Sequence, residues 1–336
     1  VAETCPGGIM EKLIALDFKI EKRIRPTSPF NFDATFHKPG HFPSADNAWS
    51  SGVRWQTMLW KDTLLGLVIE NLGKVTSPLI QVSIFADHEL DEPFVQSILQ
   101  ELVYRYNLQM DLTGFNHRFQ DDPQLGSIIQ KWLGMRPMHY GSLYEYLLIA
   151  IVLQNATVRR SVNMLQSLFE KYGKLLAFDS KVLYCYWPPK SIQNASEQDL
   201  RDLKVGYRAK SIKRVTEAFV SNEIDEFALR LESLENQRSK LIGLYGVGPA
   251  SVGYILFDVF HQMDYLDHIS PWEQKIYSRL FFDTEIDNPV STDLLMAYFT
   301  DRFSGYRMLA VNYFWEDLFW KRKLGQVEWL EGLIRL

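Results

Sequence analysis

The stretch Gly246-Val247-Gly248-Pro249 is the part of this chain best suited to holding an anion. An apolar helix end, Leu241-Ile242-Gly243-Leu244, precedes it. Pro249 then stands in the first turn of a new helix, where its missing N–H would have been unpaired in any case. Two helices joined by so tight a hairpin need glycine at the bend. The bend turns the Gly246 and Gly248 amides outward beside the positive end of the second helix, and together they form a cradle for an anion. Downstream, Asp264-Tyr265-Leu266-Asp267 leads into Ser270-Pro271-Trp272-Glu273. Ser270 reads as an N-cap, Pro271 as the first helical residue and Glu273 as the partner in a capping box. A flat, π-rich ligand would stack on aromatic walls. Tyr144, Trp272, Trp315 and Phe319 are the candidates, with Trp272 foremost because it lies beside Ser270. Glu316 and Asp317 are further candidate lining groups, although a solvent-facing pair is the commoner arrangement. The seven histidines show no ligand spacing, and no metal site is expected. Neither a P-loop nor a dinucleotide fingerprint is present, and no cofactor is expected.

The elements that must position these groups follow from periodicity. The first third reads as β: Leu13 to Ile20, Phe30 to Phe36, Trp55 to Trp60, Leu64 to Glu70 and Leu79 to Phe85. Turn signals at Pro39-Gly40, Ser51-Gly52, Gly73 and Ser77-Pro78 separate them. About five sequential strands with short connections predict one antiparallel sheet. After Asp87 the period becomes helical, and little that follows resembles strand. Ser142 to Glu145 opens an apolar helix running to about Gln154. Thr157 to Tyr172 is a second helix, ended by Gly173. A capping box at Ser196-Glu197-Gln198-Asp199 opens a short helix ended at Gly206, and Lys210 to Val220 is helical again. The fold class is therefore α+β, an N-terminal sheet followed by a mostly helical body. The expected divisions are 1–90 for the sheet, 91–240 for a helical domain and 241–336 for the hairpin and the C-terminal helices.

Composition narrows the function. The chain has 336 residues, 46% of them hydrophobic, which suits more than one packed core. Its 36 Lys and Arg against 41 Asp and Glu leave a net charge of −5, which excludes a polybasic nucleic-acid sponge. A binder that uses local patches and backbone donors remains open. Two cysteines, Cys5 and Cys185, cannot form a disulfide scaffold or a thiolate cluster, so a reducing, intracellular setting is expected. The longest apolar run, Leu147 to Leu153, is too short to span a membrane. Val1 to Met10 lacks the pattern of a signal peptide, and Met10 is a candidate original start.

Four motifs, in order, give the chain a resemblance. Leu153-Gln154-Asn155-Ala156-Thr157-Val158-Arg159-Arg160, Leu203-Lys204-Val205-Gly206-Tyr207-Arg208-Ala209-Lys210, Leu244 to Pro249, and Phe303-Ser304-Gly305-Tyr306-Arg307-Met308-Leu309-Ala310 resemble segments of the helix-hairpin-helix DNA glycosylases. The similarity is to the branch of 8-oxoguanine glycosylase and 3-methyladenine glycosylase II, and Pro29-Phe30-Asn31-Phe32 resembles the start of that branch's extra sheet. The resemblance implies a monomeric base-excision-repair enzyme that acts on duplex DNA containing a damaged base. It implies a phosphate held by Gly246, Val247, Gly248 and Ala250. Asn155, Arg160 and Tyr207 would fill the gap left by a flipped base, and Arg208 and Lys210 would meet phosphate.

At two family positions the chain departs. The lysine that forms a Schiff base in bifunctional members is matched by Ala250, so a lyase step through that position is excluded. The aspartate that stabilises the oxocarbenium-like sugar is matched by Ser270, which carries no charge. Three readings stay open. Asp267 swings into the site, or the enzyme acts on already labile cationic alkylated purines with help from Ser270 or a nearby carboxylate, or the chain binds lesions without catalysis. Oxidised guanine is a further candidate substrate, on the Gly206-Tyr207-Arg208 resemblance.

Overall fold

The structure, a computed structural model, describes residues 13–37 and 43–333. Cys5, Val1 to Met10 and the Pro39-Gly40 turn lie outside the described residues. The strands are β1 (Leu13–Ala15), β2 (Phe18–Ile24), β3 (Asn47–Ser50), β4 (Val53–Trp60), β5 (Thr63–Asn71), β6 (Ile80–Ala86), β7 (Lys174–Phe178) and β8 (Lys181–Cys185). The helices begin with α1 (Phe32–Phe36), α2 (Glu92–Arg105), α3 (Thr113–Phe119), α4 (Leu125–Lys131), α5 (Leu143–Leu153) and α6 (Val158–Tyr172). They continue with α7 (Glu197–Leu200), α8 (Arg208–Val220), α9 (Glu226–Arg230), α10 (Leu234–Gly243) and α11 (Pro249–Asp258). The last are α12 (Pro271–Phe282), α13 (Thr292–Phe303), α14 (Arg307–Lys323) and α15 (Glu328–Glu331). No helix among the described residues is long and apolar enough to cross a membrane.

The sheet is antiparallel with order β2-β6-β5-β4-β3. Its central strand β5 is buried on both faces. Leu65, Leu67 and Ile69 pack toward α2, while Val68 joins Phe85, Leu176 and Phe178 on the other side. That second cover is the β7–β8 hairpin, and it corrects the expectation that strands end with the first third. The Phe178 ring sits so close to Gly66 that a Cβ there would meet it at 2.4 Å, so only glycine admits the ring. β1 leaves the main sheet and pairs in parallel with β7, Leu13 opposite Leu175.

Phe30 to Phe36 is also corrected, from strand to helix. Spacings of two include spacings of four, so Phe32 and Phe36 satisfy a helical face equally well; their rings lie 4.6 Å apart. The Asn31 side chain accepts from the Ala34 amide at 3.0 Å and starts the turn. The helix expected from Ser196 to Gly206 ends at Leu200 instead. A wider turn, Arg201–Val205, follows, with Lys204 and Gly206 at positive φ.

Two buried polar links join the sheet to the helical body. Arg136, fully buried, donates to the carbonyls of Asn107, Thr27 and Pro29, and its guanidinium lies 5.4 Å from the Phe30 ring. On α2, Glu101 accepts from Arg105 at 2.6 Å and from both terminal nitrogens of Arg230 at 2.7 Å. Arg230 also pairs with Glu226, whose other oxygen accepts from the Leu143 amide at the start of α5. Separate apolar cores lie beneath the α5–α11 region and around α12–α14.

Candidate active site and nucleic-acid interface

The hairpin is built as its residues require. Gly246 has φ +84°, and a Cβ on it would meet Ser211 Oγ at 2.4 Å, so conformation and space both demand glycine. Val247 is buried and its amide donates to the Leu244 carbonyl at 3.0 Å. It therefore anchors the bend inward and offers no amide to a ligand. Gly246 is exposed, and Gly248, the N-cap of α11, faces open space. Neither amide has an acceptor among the described residues. The positive end of α11, ten residues long, lies directly behind them.

One side chain ties the neighbouring loops to this bend. Gln154, the C-cap of α5, donates from Nε2 to the Gly246 carbonyl at 2.6 Å. Its own carbonyl accepts from the Arg208 guanidinium and, at 3.5 Å, from the Tyr207 hydroxyl. Asn155, exposed and with φ +48°, donates to that hydroxyl at 3.4 Å. Tyr207 is 54% exposed. Asn155, Tyr207, Gly246 and Gly248 thus belong to one linked surface, with Lys210 over the exposed Tyr245 ring. Arg208 is placed differently from its expected phosphate contact. It is 1% exposed, and it supports the loop from beneath. Arg160 is exposed on the first turn of α6.

Behind the hairpin a cavity of about 20 Å³, room for a single water, is bounded by Ala250, Gly253 and Tyr254 of α11 and by Asp267, Glu273 and Met308. Ser270 caps α12 as expected. Glu273 reaches back to accept from the Ser270 amide at 2.9 Å and hydroxyl at 2.5 Å. Its other oxygen accepts from the Tyr254 hydroxyl at 2.6 Å. Burial, with the Glu273 carboxylate beside it, holds the Tyr254 phenol well above its ordinary range, so it remains a donor. Asp267 is engaged elsewhere: its Oδ2 accepts from the Tyr265 hydroxyl and from Arg238 Nε at 3.3 Å. The Trp272 ring, 42% exposed, packs on Trp315 with centroids 5.1 Å apart, and Phe319 stacks behind Trp315 at 5.5 Å. Tyr144 does not join them. It is a core residue whose hydroxyl bonds Thr216 at 2.9 Å. Glu316 and Asp317 are neither lining nor solvent-facing: both are buried, bonded to Trp320 and to Lys131 and Lys321 respectively.

A family description, the HhH-GPD superfamily base excision DNA repair protein, matches residues 148–330, more than half of the chain and all of the hairpin surface. The chain belongs to the HhH-GPD superfamily. Among HhH-GPD relatives, the DNA-3-methyladenine glycosylase of Bacillus subtilis is 23% identical over 197 residues, 55% of this chain and 65% of that protein. The chain thus matches slightly less than two thirds of that relative's length. The fold is shared with the 3-methyladenine DNA glycosylase from Archaeoglobus fulgidus, at a TM-score of 0.72 and 16% identity, covering 89% of this chain and 99% of that one. It is shared too with the Clostridium acetobutylicum 8-oxoguanine glycosylase/lyase, in complex with double-stranded DNA containing cytosine opposite 8-oxoguanine. That match has a TM-score of 0.67 and 17% identity, covering 92% of this chain and 99% of that chain.

Gln154 and Tyr254 were missed by sequence reasoning, and Glu273 was read only as a cap. Gln154 sat inside a quoted motif, but nothing in one dimension shows that its amide meets Gly246. Tyr254 lies four residues after Ala250, hence on the same helical face, and that spacing was the available signal.

Proposed function

We propose that this HhH-GPD protein is a monofunctional DNA glycosylase that flips a damaged base out of duplex DNA and releases it with water. Alkylated purines are its substrates in this reading. The observation that carries the reading is the pairing of two features across α11. Two unpaired outward amides, at Gly246 and Gly248, lie at its N-terminus, and one face of its first turn lines a carboxylate-bearing cavity in which Ala250 supplies no amine. The amides hold a backbone phosphate without any net positive charge. Asn155 and Tyr207 lie on the same surface to occupy the space a flipped base vacates. Flipping costs a few kcal/mol and is cheapest at damaged pairs, which contributes to selectivity. The cavity is far below ligand-pocket size, so base entry requires its walls to part. The alkylpurine assignment draws on the Bacillus subtilis relative and on the lability of cationic purines.

The test is base release under single-turnover conditions from duplexes carrying 3-methyladenine, 7-methylguanine or 8-oxoguanine. The same samples are treated with borohydride to trap any Schiff base. The expected outcome is release of an alkylated purine, no trapped adduct and strand breaks only after alkali. A trapped adduct overturns the monofunctional mechanism, and release of 8-oxoguanine alone overturns the substrate class. Ser270 favours a second reading, a lesion binder without catalysis. Tight lesion binding with no release from any duplex would establish it.

A further inference from the structure

We propose that Glu273 supplies the negative charge that Ser270 lacks, stabilising the developing sugar cation and receiving the proton of the attacking water. The proposal rests on the glycosylase reading. Three observations carry it. First, Glu273 is 6% exposed and borders the same cavity as Ala250. Second, donors from two elements hold its carboxylate: the Ser270 amide, the Ser270 hydroxyl and the Tyr254 hydroxyl, with the buried Tyr277 hydroxyl against it as well. Third, it has no cationic partner among the described residues, whereas Asp267, the other carboxylate at this cavity, is paired with Arg238. A capping role alone would not require the carboxylate to be buried, because burying a charge without a counter-charge is unfavourable by several kcal/mol. The N-terminus of α12 offsets part of that penalty.

The assigned step balances as follows. Water oxygen bonds to the sugar C1′ as the C1′–N bond breaks, and the electron pair of that bond leaves with the purine. A cationic alkylated purine departs neutral and needs no proton. The proton lost by the water passes to Glu273 and from there to solvent. The Ser270 position then acts through Glu273: its hydroxyl and amide fix one carboxylate oxygen, and Tyr254 fixes the other.

Glu273→Gln in the full chain keeps the size and two of the hydrogen bonds but removes the charge. The expected result is a loss of about 100-fold or more in single-turnover release of 7-methylguanine, the scale of a close charge–charge stabilisation. Affinity for a duplex with a neutral tetrahydrofuran abasic site stays the same, while affinity for a duplex with a cationic pyrrolidine at that position falls at least about tenfold. A purely structural role would weaken both duplexes alike. Unchanged release by folded Glu273→Gln, or equal weakening of both duplexes, overturns the assignment while leaving the glycosylase reading in place. Wild-type protein that releases no base overturns the glycosylase reading itself. Should Glu273→Gln fail to fold, the wild-type ratio of pyrrolidine to tetrahydrofuran affinity decides. A ratio of about ten or more supports the proposal. A ratio near one overturns it.

Discussion

Gly246 and Gly248 look interchangeable as letters, yet the backbone asks different things of them. Gly246 is held at positive φ against Ser211, while Gly248 has φ −100° and open space before it. Gly246→Ala should therefore destabilise the fold by about 1–3 kcal/mol, visible as a lower Tm. Gly248→Ala should leave Tm nearly unchanged. Both should weaken binding to duplex DNA, because the methyl of the second stands where a phosphate approaches its amide. A gel-shift titration with matched melting curves separates the two, and an unaltered DNA affinity in Gly248→Ala would argue against the cradle. Glu273 makes a parallel point. An N3 glutamate that caps a helix and one that also faces a cavity share the same letters; only its neighbours, Tyr254 and Ala250, differ.

At the scale of elements, the α5–α6 turn, the turn before α8 and the hairpin before α11 are separate in sequence and meet through Gln154. Removing its side chain deletes the bond to the Gly246 carbonyl but leaves the Gln154 backbone carbonyl to Arg208. Gln154→Ala should thus be destabilised by only about 0.5–1.5 kcal/mol, the net worth of one hydrogen bond. Its affinity for lesion-containing duplex should fall several-fold while affinity for undamaged duplex changes less. Equal losses on both duplexes would show that the coupling does not serve lesion recognition. The elements that sequence pattern misjudged were all short. Five residues from Phe32 to Phe36 fit either period, and β7 and β8 are too brief to announce themselves between helices. Long helices such as α5, α6 and α8 were legible because several turns repeat the same apolar face.

For the whole molecule, acid is the natural stress on the joint between sheet and helical body. Burial, with Arg105 nearby, pushes His139 down to about 3, so it stays neutral in the fold. The unfolded chain protonates it from about pH 6.5 downward, so stability falls as pH drops from there toward 3. Glu101 moves the other way relative to burial: burial opposes its charge, but Arg230 and Arg105 outweigh that and hold it below the usual carboxylate range. Its contribution is complete above its unfolded value and is lost as pH falls through the folded one. Two other groups titrate in the window of His139: His261, pushed down by burial to about 4, adds to the loss, and Glu145, pushed up by burial to about 7, opposes it. Urea unfolding of His139→Phe between about pH 6 and 5 should therefore lose less stability than the wild type, by up to about 1.4 kcal/mol per pH unit, and should keep the loss below about pH 4.5. An unchanged slope in the variant would exclude His139 as its source.

Sequence alone established the α+β class, the glycine hairpin, the N-cap at Ser270 and an alanine, with no amine, at position 250. Each of these is a local matter of periodicity, capping chemistry or a single residue type, so one dimension suffices. Tertiary structure decided that Arg208 turns inward, that Tyr144 is core, that Asp267 is paired with Arg238 and that Glu273 shares a cavity with Ala250. Those outcomes depend on which distant segments pack together, and side-chain partners brought close by burial leave no spacing in the chain to read.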